Sequence, residues 1–292
     1  MTFIMTAVAS DSRMLIQQAI GKVSNLPTLP EITTRIIDLV HDPRSTAAQL
    51  HHLVSNDPAL ASRILKTANS AFYGIPGQIG SMERAIVMLG LNAVKNIAVA
   101  ASIGELFRGA TLCKGFNARD LWKHCIAVGV GARELAKQVN APIAGEAFLA
   151  GLIHDIGILV WLQAKPAEFS KVCEQAKDSA GEFTQIEWQI LGADHQMVGM
   201  AIAEQWRFPR PCQLAAGYHH QPTALAEEHR LLPTLVYVAD TISCQAGHGF
   251  NLTALHQQLQ QGEIERFGIT PTLIKQVTQA MPELITTAEG LL

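Results

Sequence analysis

The stretch GLIHDIGILV, residues 151–160, sets a histidine and an aspartate side by side in an otherwise apolar run. Ionisable side chains are rarely buried without partners, and an unpaired carboxylate out of water is costly. His154 and Asp155 therefore require partners from elsewhere in the chain. Where those partners lie decides how the surrounding segments must fold.

Outward from this stretch the periodicity is helical nearly everywhere. PEITTRIIDLV (30–40) opens with Pro30 and Glu31, good first-turn residues, and aligns Ile32, Ile36, Ile37 and Val40 on one face. Ser45 or Thr46 can cap the next helix. Asp57 can cap the one after, with Pro58 in its first turn and Leu60, Ile64, Leu65 and Ala68 as its stripe. The glycines and proline of YGIPGQIGS (73–81) break the pattern, which resumes from Ser81. After a second break at 108–120, the spacing predicts helices over about 118–139, 146–163, 166–180, 183–205, 209–219, 230–248, 252–261 and 270–290. No period-two alternation between turn signals is long enough for a strand. The expectation is an all-α fold of two packed helical lobes: an N-terminal segment 1–15, a first lobe 16–110, and a second lobe 111–292 that ends in a helical extension.

Composition narrows the functional classes. The chain has 292 residues, 48% hydrophobic and 16% charged, with a formal net charge of −3 and a pI near 6.4. No basic excess points to nucleic acid. The segment 45–70 can pass for a helix-turn-helix, but its second helix offers only Arg63 and Lys66 for phosphate contacts. Five cysteines (Cys113, Cys125, Cys173, Cys212, Cys244) without a CxxC pair read as buried thiols in a reducing cytoplasm. The N-terminus lacks the basic region of a signal peptide. The apolar stretch 86–106 contains Asn92, Lys95, Asn96 and Glu105, which a membrane span does not tolerate. A soluble cytoplasmic protein is expected, with no membrane contact.

The candidate partners of His154 and Asp155 are His124, His195, His219, His220 and Asp240, each in or at the end of a predicted helix beside apolar residues. Singly, each reads as a hydrogen-bonded core residue or a cap. Together they form the order H…HD…H…HH…D. The intervals are 30 residues from His124 to His154, 40 from Asp155 to His195, 24 from His195 to His219 and 20 from His220 to Asp240. Each interval fits a helix plus its return. Imidazole and carboxylate groups are the ligand set for Zn, Fe, Mn or Ni, and a carboxylate such as Asp155 between two imidazole groups can bridge two ions. One or two divalent transition-metal ions are expected, and no organic cofactor. Asp120, four residues before His124, reads as the cap of its helix, or else as a further ligand.

This order resembles the HD superfamily of metal-dependent phosphohydrolases, and the additional histidines resemble its dinuclear HD-GYP branch, which hydrolyses cyclic di-GMP. LPTLPEI, LVSNDPALASRILKTANSAFYG, IGSMERAIVMLGLNAVKNIAV and FLAGLIHDIGILV together resemble the HDOD domain, the HD-related output domain of bacterial signalling proteins. The resemblance runs from about residue 20 to about 245 and implies His124, His154, Asp155, His195, His219, His220 and Asp240 as metal positions.

The departures bear on activity. Active HD-GYP proteins carry HDxGK, whose lysine grips substrate phosphate, and here that place is Ile158. The GYP segment is also missing. The resemblance therefore implies a non-catalytic output module with a retained metal site, whose input is an unidentified signalling protein or nucleotide second messenger. The alternative is a metal-dependent phosphohydrolase. In the loop SAFYGIPGQIGS, Phe72 and Tyr73 are candidates for a partner surface, against the plainer reading of a well-packed connection.

Overall fold

The computed structural model describes residues 2–23, 31–42, 44–70, 73–75, 77–108, 116–178 and 181–289, and the side chains of all of these except 2–11, 40, 41, 105, 108, 178 and 289. Phe72, Cys113 and Pro30 lie outside the described residues. All regular structure among the described residues is helical: α1 Thr2–Lys22, α2 Glu31–His41, α3 Ala47–Ser55, α4 Pro58–Ala68, α5 Met82–Leu89, α6 Leu91–Arg108, α7 Ala118–Gln138, α8 Ala144–Ile153, α9 Ile156–Ala164, α10 Pro166–Asp178, α11 Phe183–Leu191, α12 His195–Gln205, α13 Arg210–Tyr218, α14 Leu231–Gln245, α15 Gln261–Glu265 and α16 Pro271–Glu289, with two 3-10 turns before α14.

In the first lobe, α2, α4 and α5 pack around α6. The stripes legible in the sequence are the buried ones: Ile36 and Ile37 of α2, and Leu60, Ile64 and Ala68 of α4. Of the two cap candidates for α3, Thr46 serves, in a reciprocal capping box with Gln49. Such a cap stabilises by about 1 kcal/mol. Ser45 has another task, for its hydroxyl accepts from Lys95. Lys95 is 2% exposed on α6 and also donates to the Leu39 carbonyl at 2.6 Å, tying α6 to the end of α2. Asp57 caps α4 as its sequence position suggests, accepting from the Leu60 amide at 2.9 Å.

The second lobe is built on α7, against which α8, α14 and α16 pack, with α12 and α13 crossing α9 and α8. Helix α6 contacts α7 and α8 and joins the lobes. Tyr73 reaches the same junction. The Arg133 guanidinium of α7 lies 4.9 Å from its ring centre, and burial pushes its phenol up to about 12. Tyr73 thus packs against its own chain. Helix α1 lies on α9 and α12, with Ile16 and Ala19 buried and the Ser12 hydroxyl 3.4 Å from the Gly192 carbonyl.

Three expected boundaries are corrected. The helix expected over 146–163 is two, because the chain leaves the helical track at Asp155 (φ −97°, ψ 15°). The helix expected over 183–205 also divides, since Gly192 takes the left-handed conformation (φ 87°) that ends α11. Residues 252–260 form no helix, and only the short α15 follows. Taken together, Ala144–Ala164 is long and apolar enough to cross a bilayer, but 89% of it is buried inside the fold, where its apolar faces are the core.

Glycines set how closely these helices approach. A Cβ on Gly151 of α8 would lie 2.5 Å from the Gly129 Cα of α7, and one on Gly157 of α9 would lie 2.1 Å from the His195 carbonyl oxygen of α12. Backbone cannot swing aside as a side chain can. Gly157→Ala is therefore expected to destabilise the protein by about 1–3 kcal/mol or more, seen as a lower urea midpoint. Gly262→Ala, with open space around its Cβ, is expected to leave the midpoint unchanged or raise it. Equal midpoints for the two variants would show that α9 and α12 part freely.

Candidate metal centre

Five segments of the second lobe deliver the seven candidate residues to one place. His124 is in the second turn of α7, which Asn117 caps rather than Asp120. Asp120 instead receives the Phe250 amide on its backbone carbonyl at 3.0 Å. His154 and Asp155 form the break between α8 and α9, and Asp155 caps neither. His195 is the first residue of α12, whose cap is Asp194. His219 and His220 follow α13, and Asp240 is on α14. His124, His154, Asp155, His195, His219 and Asp240 are all 0% exposed, and the His220 side chain is 6% exposed.

The two oxygens of Asp155 face different groups. Oδ2 lies 3.3 Å from His154 Nε2 and 3.7 Å from His124 Nε2. Oδ1 lies 3.3 Å from His195 Nε2 and 3.5 Å from His219 Nε2. Neither oxygen makes a hydrogen bond, and neither do His154 Nε2 or the two nitrogens of His124. Asp240 closes both halves: Oδ1 is 3.1 Å from His124 Nε2, and Oδ2 is 3.7 Å from His220 Nδ1.

The far sides of the rings fix which nitrogen faces inward. His154 Nδ1 is 2.7 Å from the Gly151 carbonyl, and His219 Nδ1 is 3.1 Å from that of Ala215. His195 Nδ1 meets Glu187 Oε2 at 2.6 Å, and His220 Nδ1 meets Gln257 Oε1 at 2.8 Å. Carbonyls and carboxylates only accept, so each Nδ1 carries a proton, and each neutral ring turns an Nε2 lone pair toward the cluster. The Nε2 atoms of His219 and His220 each lie 3.2 Å from that of His195. Lone pairs so placed repel unless a proton or a cation sits among them. Anchoring of the outer nitrogen is how proteins orient metal-binding histidines, and groups of three ligating atoms here lie within 4.8 Å of one another. The residues fit a metal centre with Asp155 as the shared carboxylate.

Without an ion, the charges balance among themselves. Burial opposes ionisation of Asp155, but His154, His219 and His195 hold its carboxyl well below the usual range. Burial likewise opposes the charge on Asp240, and His124, His154 and His220 outweigh it. Burial disfavours the His154 cation, yet Asp155 and Asp240 raise it. Burial and the neighbouring His219 push His220 down to about 3.

Glu187 was not evident from the sequence as a site residue. It is 0% exposed and takes both the ring and the amide of His195 on Oε2, while Oε1 has no hydrogen bond. Its signal was present, since Phe183, Ile186 and Leu191 put position 187 on the apolar face of α11. Gln257 carried no such signal. It lies beyond α14, its amide held by donation to Thr241 Oγ1 at 2.6 Å.

A cavity of about 650 Å³ adjoins the cluster at His220 and is lined also by Glu182, Thr184, Gln221, Tyr237 and Gln257. Among the described residues, no lysine or arginine lines it. Arg230 lines a smaller neighbouring cavity, and its guanidinium is engaged with the Leu225 and Thr223 carbonyls at 2.7 and 2.9 Å. Ile158, 0% exposed, offers no donor.

The Glu187–His195 pair gives a pH signature to protein stripped of ions with a chelator. Burial disfavours the His195 cation, but the Glu187 carboxylate outweighs it, aided by Asp155 and Asp194, and the ring rises from 6.5 to about 10. A raised base stabilises fully below its unfolded value and loses that contribution as pH climbs through the folded one. Stability is therefore expected to fall between about pH 7 and 10 in denaturant titrations. Burial raises the Glu187 carboxyl from 4.5 to about 6, so its own contribution falls in the separate window between those values. Glu187→Gln should flatten the alkaline slope. An equally steep slope in the variant would show that the pair does not set it.

Known proteins share the fold that carries these residues. An HDOD domain protein of unknown function from Geobacter sulfurreducens superposes with a TM-score of 0.81 at 24% identity, covering 96% of this chain and 97% of that one. A candidate signal transduction protein from Marinobacter aquaeolei VT8 superposes with a TM-score of 0.77 at 25% identity, covering 97% of this chain and 66% of that one. A candidate phosphohydrolase from Shewanella amazonensis SB2B gives 0.73 at 22% identity, covering 94% and 98%. An uncharacterized protein of Treponema pallidum (strain Nichols) is 24% identical over 224 residues, 76% of this chain, and the chain spans 43% of that relative's length. The HDOD domain model matches residues 26–222, well over half of the sequence, and the chain belongs to the HDOD domain family.

Proposed function

We propose that this HDOD chain is a cytoplasmic signal-transduction output module that retains a divalent metal centre without phosphodiester hydrolysis. The observation that carries the retained centre is the set of three histidines, His154, His195 and His219, whose Nδ1 atoms are anchored outward and whose Nε2 atoms converge on Asp155, with His220 Nε2 beside that of His195. His124, His154, Asp155 and Asp240 would hold one ion, and Asp155, His195, His219 and His220 a second. Such an ion supplies Lewis acidity and can activate water.

Hydrolysis of a phosphate diester also requires groups that neutralise the charge of the substrate. Ile158 stands where active HD-GYP proteins carry the lysine that grips phosphate, and the cavity beside His220 presents amides and hydroxyls rather than lysine or arginine. The signalling role draws support from the Marinobacter aquaeolei VT8 relative, described as a candidate signal transduction protein. Its input would be a partner protein or a nucleotide second messenger. The four described cysteines are buried and outside disulfides, which suits a reducing compartment.

Protein purified without chelators is expected to carry stoichiometric transition metal, which Asp155→Ala loses. The loaded protein is expected to leave cyclic di-GMP intact. Metal-free protein that refuses loading would refute the retained centre. Hydrolysis that disappears in Asp155→Ala would make the chain a phosphohydrolase.

A further inference from the structure

The seven family positions are not the whole set of donors at this centre. Cys244 follows Asp240 by one turn of α14 and therefore shares its face. It is fully buried, and its Sγ lies 3.4 Å from Asp240 Oδ1. His124 Nε2 lies 3.1 Å from the same oxygen, and one donor atom each from His124, Asp240 and Cys244 falls within 4.8 Å of the others. Donors bound at about 2.0–2.3 Å around a tetrahedral ion are separated by roughly 3.3–3.8 Å, close to these spacings. A second observation points to cation binding at this end: His124 is 0% exposed, and both of its ring nitrogens lack hydrogen bonds.

Charge supports the same assignment. Two divalent ions bring four positive charges into a buried site. Asp155, Asp240 and Glu187 supply three negative charges, and a thiolate would supply the fourth. The competing account is a weak hydrogen bond from the Cys244 thiol to Asp240, with Thr253 Oγ1 at 3.5 Å on its other side. That account leaves both ring nitrogens of His124 without a hydrogen bond.

We propose that Cys244 is a sulfur ligand of the ion held at the His124–Asp240 end, so that the centre favours thiophilic ions such as Zn²⁺ or Co²⁺ over Mn²⁺. The thiol proton passes to solvent as the ion enters, and the thiolate forms the metal–sulfur bond. The assignment rests on the retained metal centre proposed above.

X-ray absorption at the zinc edge of the full chain loaded with Zn²⁺ tests it, with stoichiometry measured on the same sample. A sulfur shell at about 2.3 Å is expected in the native protein and in Cys125→Ser, a buried thiol outside this donor group. It is expected to vanish in Cys244→Ser, whose hydroxyl keeps a donor toward Asp240. Should Cys244→Ser fail to fold, the native protein and Cys125→Ser still decide, because sulfur persisting in Cys125→Ser supports the assignment. Stoichiometric zinc with only nitrogen and oxygen neighbours overturns the Cys244 assignment and leaves the metal centre standing, as does sulfur lost in Cys125→Ser. A chain that takes up no zinc overturns both.

Discussion

Asp155 carries a charge at 0% exposure with no hydrogen bond to either oxygen, and the second lobe is arranged around that condition. Such a carboxylate is tolerated only among cations. Three segments besides its own exist, in effect, to bring imidazoles within 3.7 Å of it. Its position at a break between two helices serves this end. There one oxygen faces His124 and His154 and the other faces His195 and His219.

The backbone crossings hold those distances. Gly151 against Gly129 sets the approach of α8 to α7, and Gly157 against the His195 carbonyl sets the approach of α9 to α12. Each crossing lies within about one turn of a candidate ligand, so separation of the helices is converted almost directly into separation of donor atoms. Gly249 does the same from the far side. Its Cβ would lie 2.3 Å from the Asp120 carbonyl and 2.6 Å from the His124 amide, and its φ of 75° suits glycine. Small residues at these points are as much a part of the centre as the histidines.

How much of this could be read from the sequence depended on whether the signal was local. Helical stripes such as Ile36–Ile37 and Leu60–Ile64 were legible because periodicity is local, as was the cap at Asp57. The break at Asp155 was not, since the apolar pattern runs through it, whereas the break at Gly192 carries local signals in the glycine itself and in the Asp194 cap that follows. The seven cluster residues were legible through their order and family pattern, and the structure brings them together. Glu187 could have been found as a carboxylate on an apolar face. Gln257 could not, for it lies in an irregular segment and its side-chain partners, the His220 ring and the Thr241 hydroxyl, come from other parts of the chain.

The long apolar run of Ala144–Ala164 is quiet in the finished protein because it is 89% enclosed. During synthesis its situation differs. Of the helices that cover it, α1, α6 and α7 precede it, but α12, α13 and α14 are made afterwards, and Asp240 arrives last of the seven donors. Until then the nascent chain displays a segment with the length and apolarity of a membrane span, together with a carboxylate that lacks part of its counter-charge. Domains fold largely as units as they emerge. The second lobe must therefore remain incomplete while the ribosome adds the residues from Asp155 to Asp240. In that interval this lobe, more than the locally connected first one, depends on protection from aggregation and from the membrane insertion machinery.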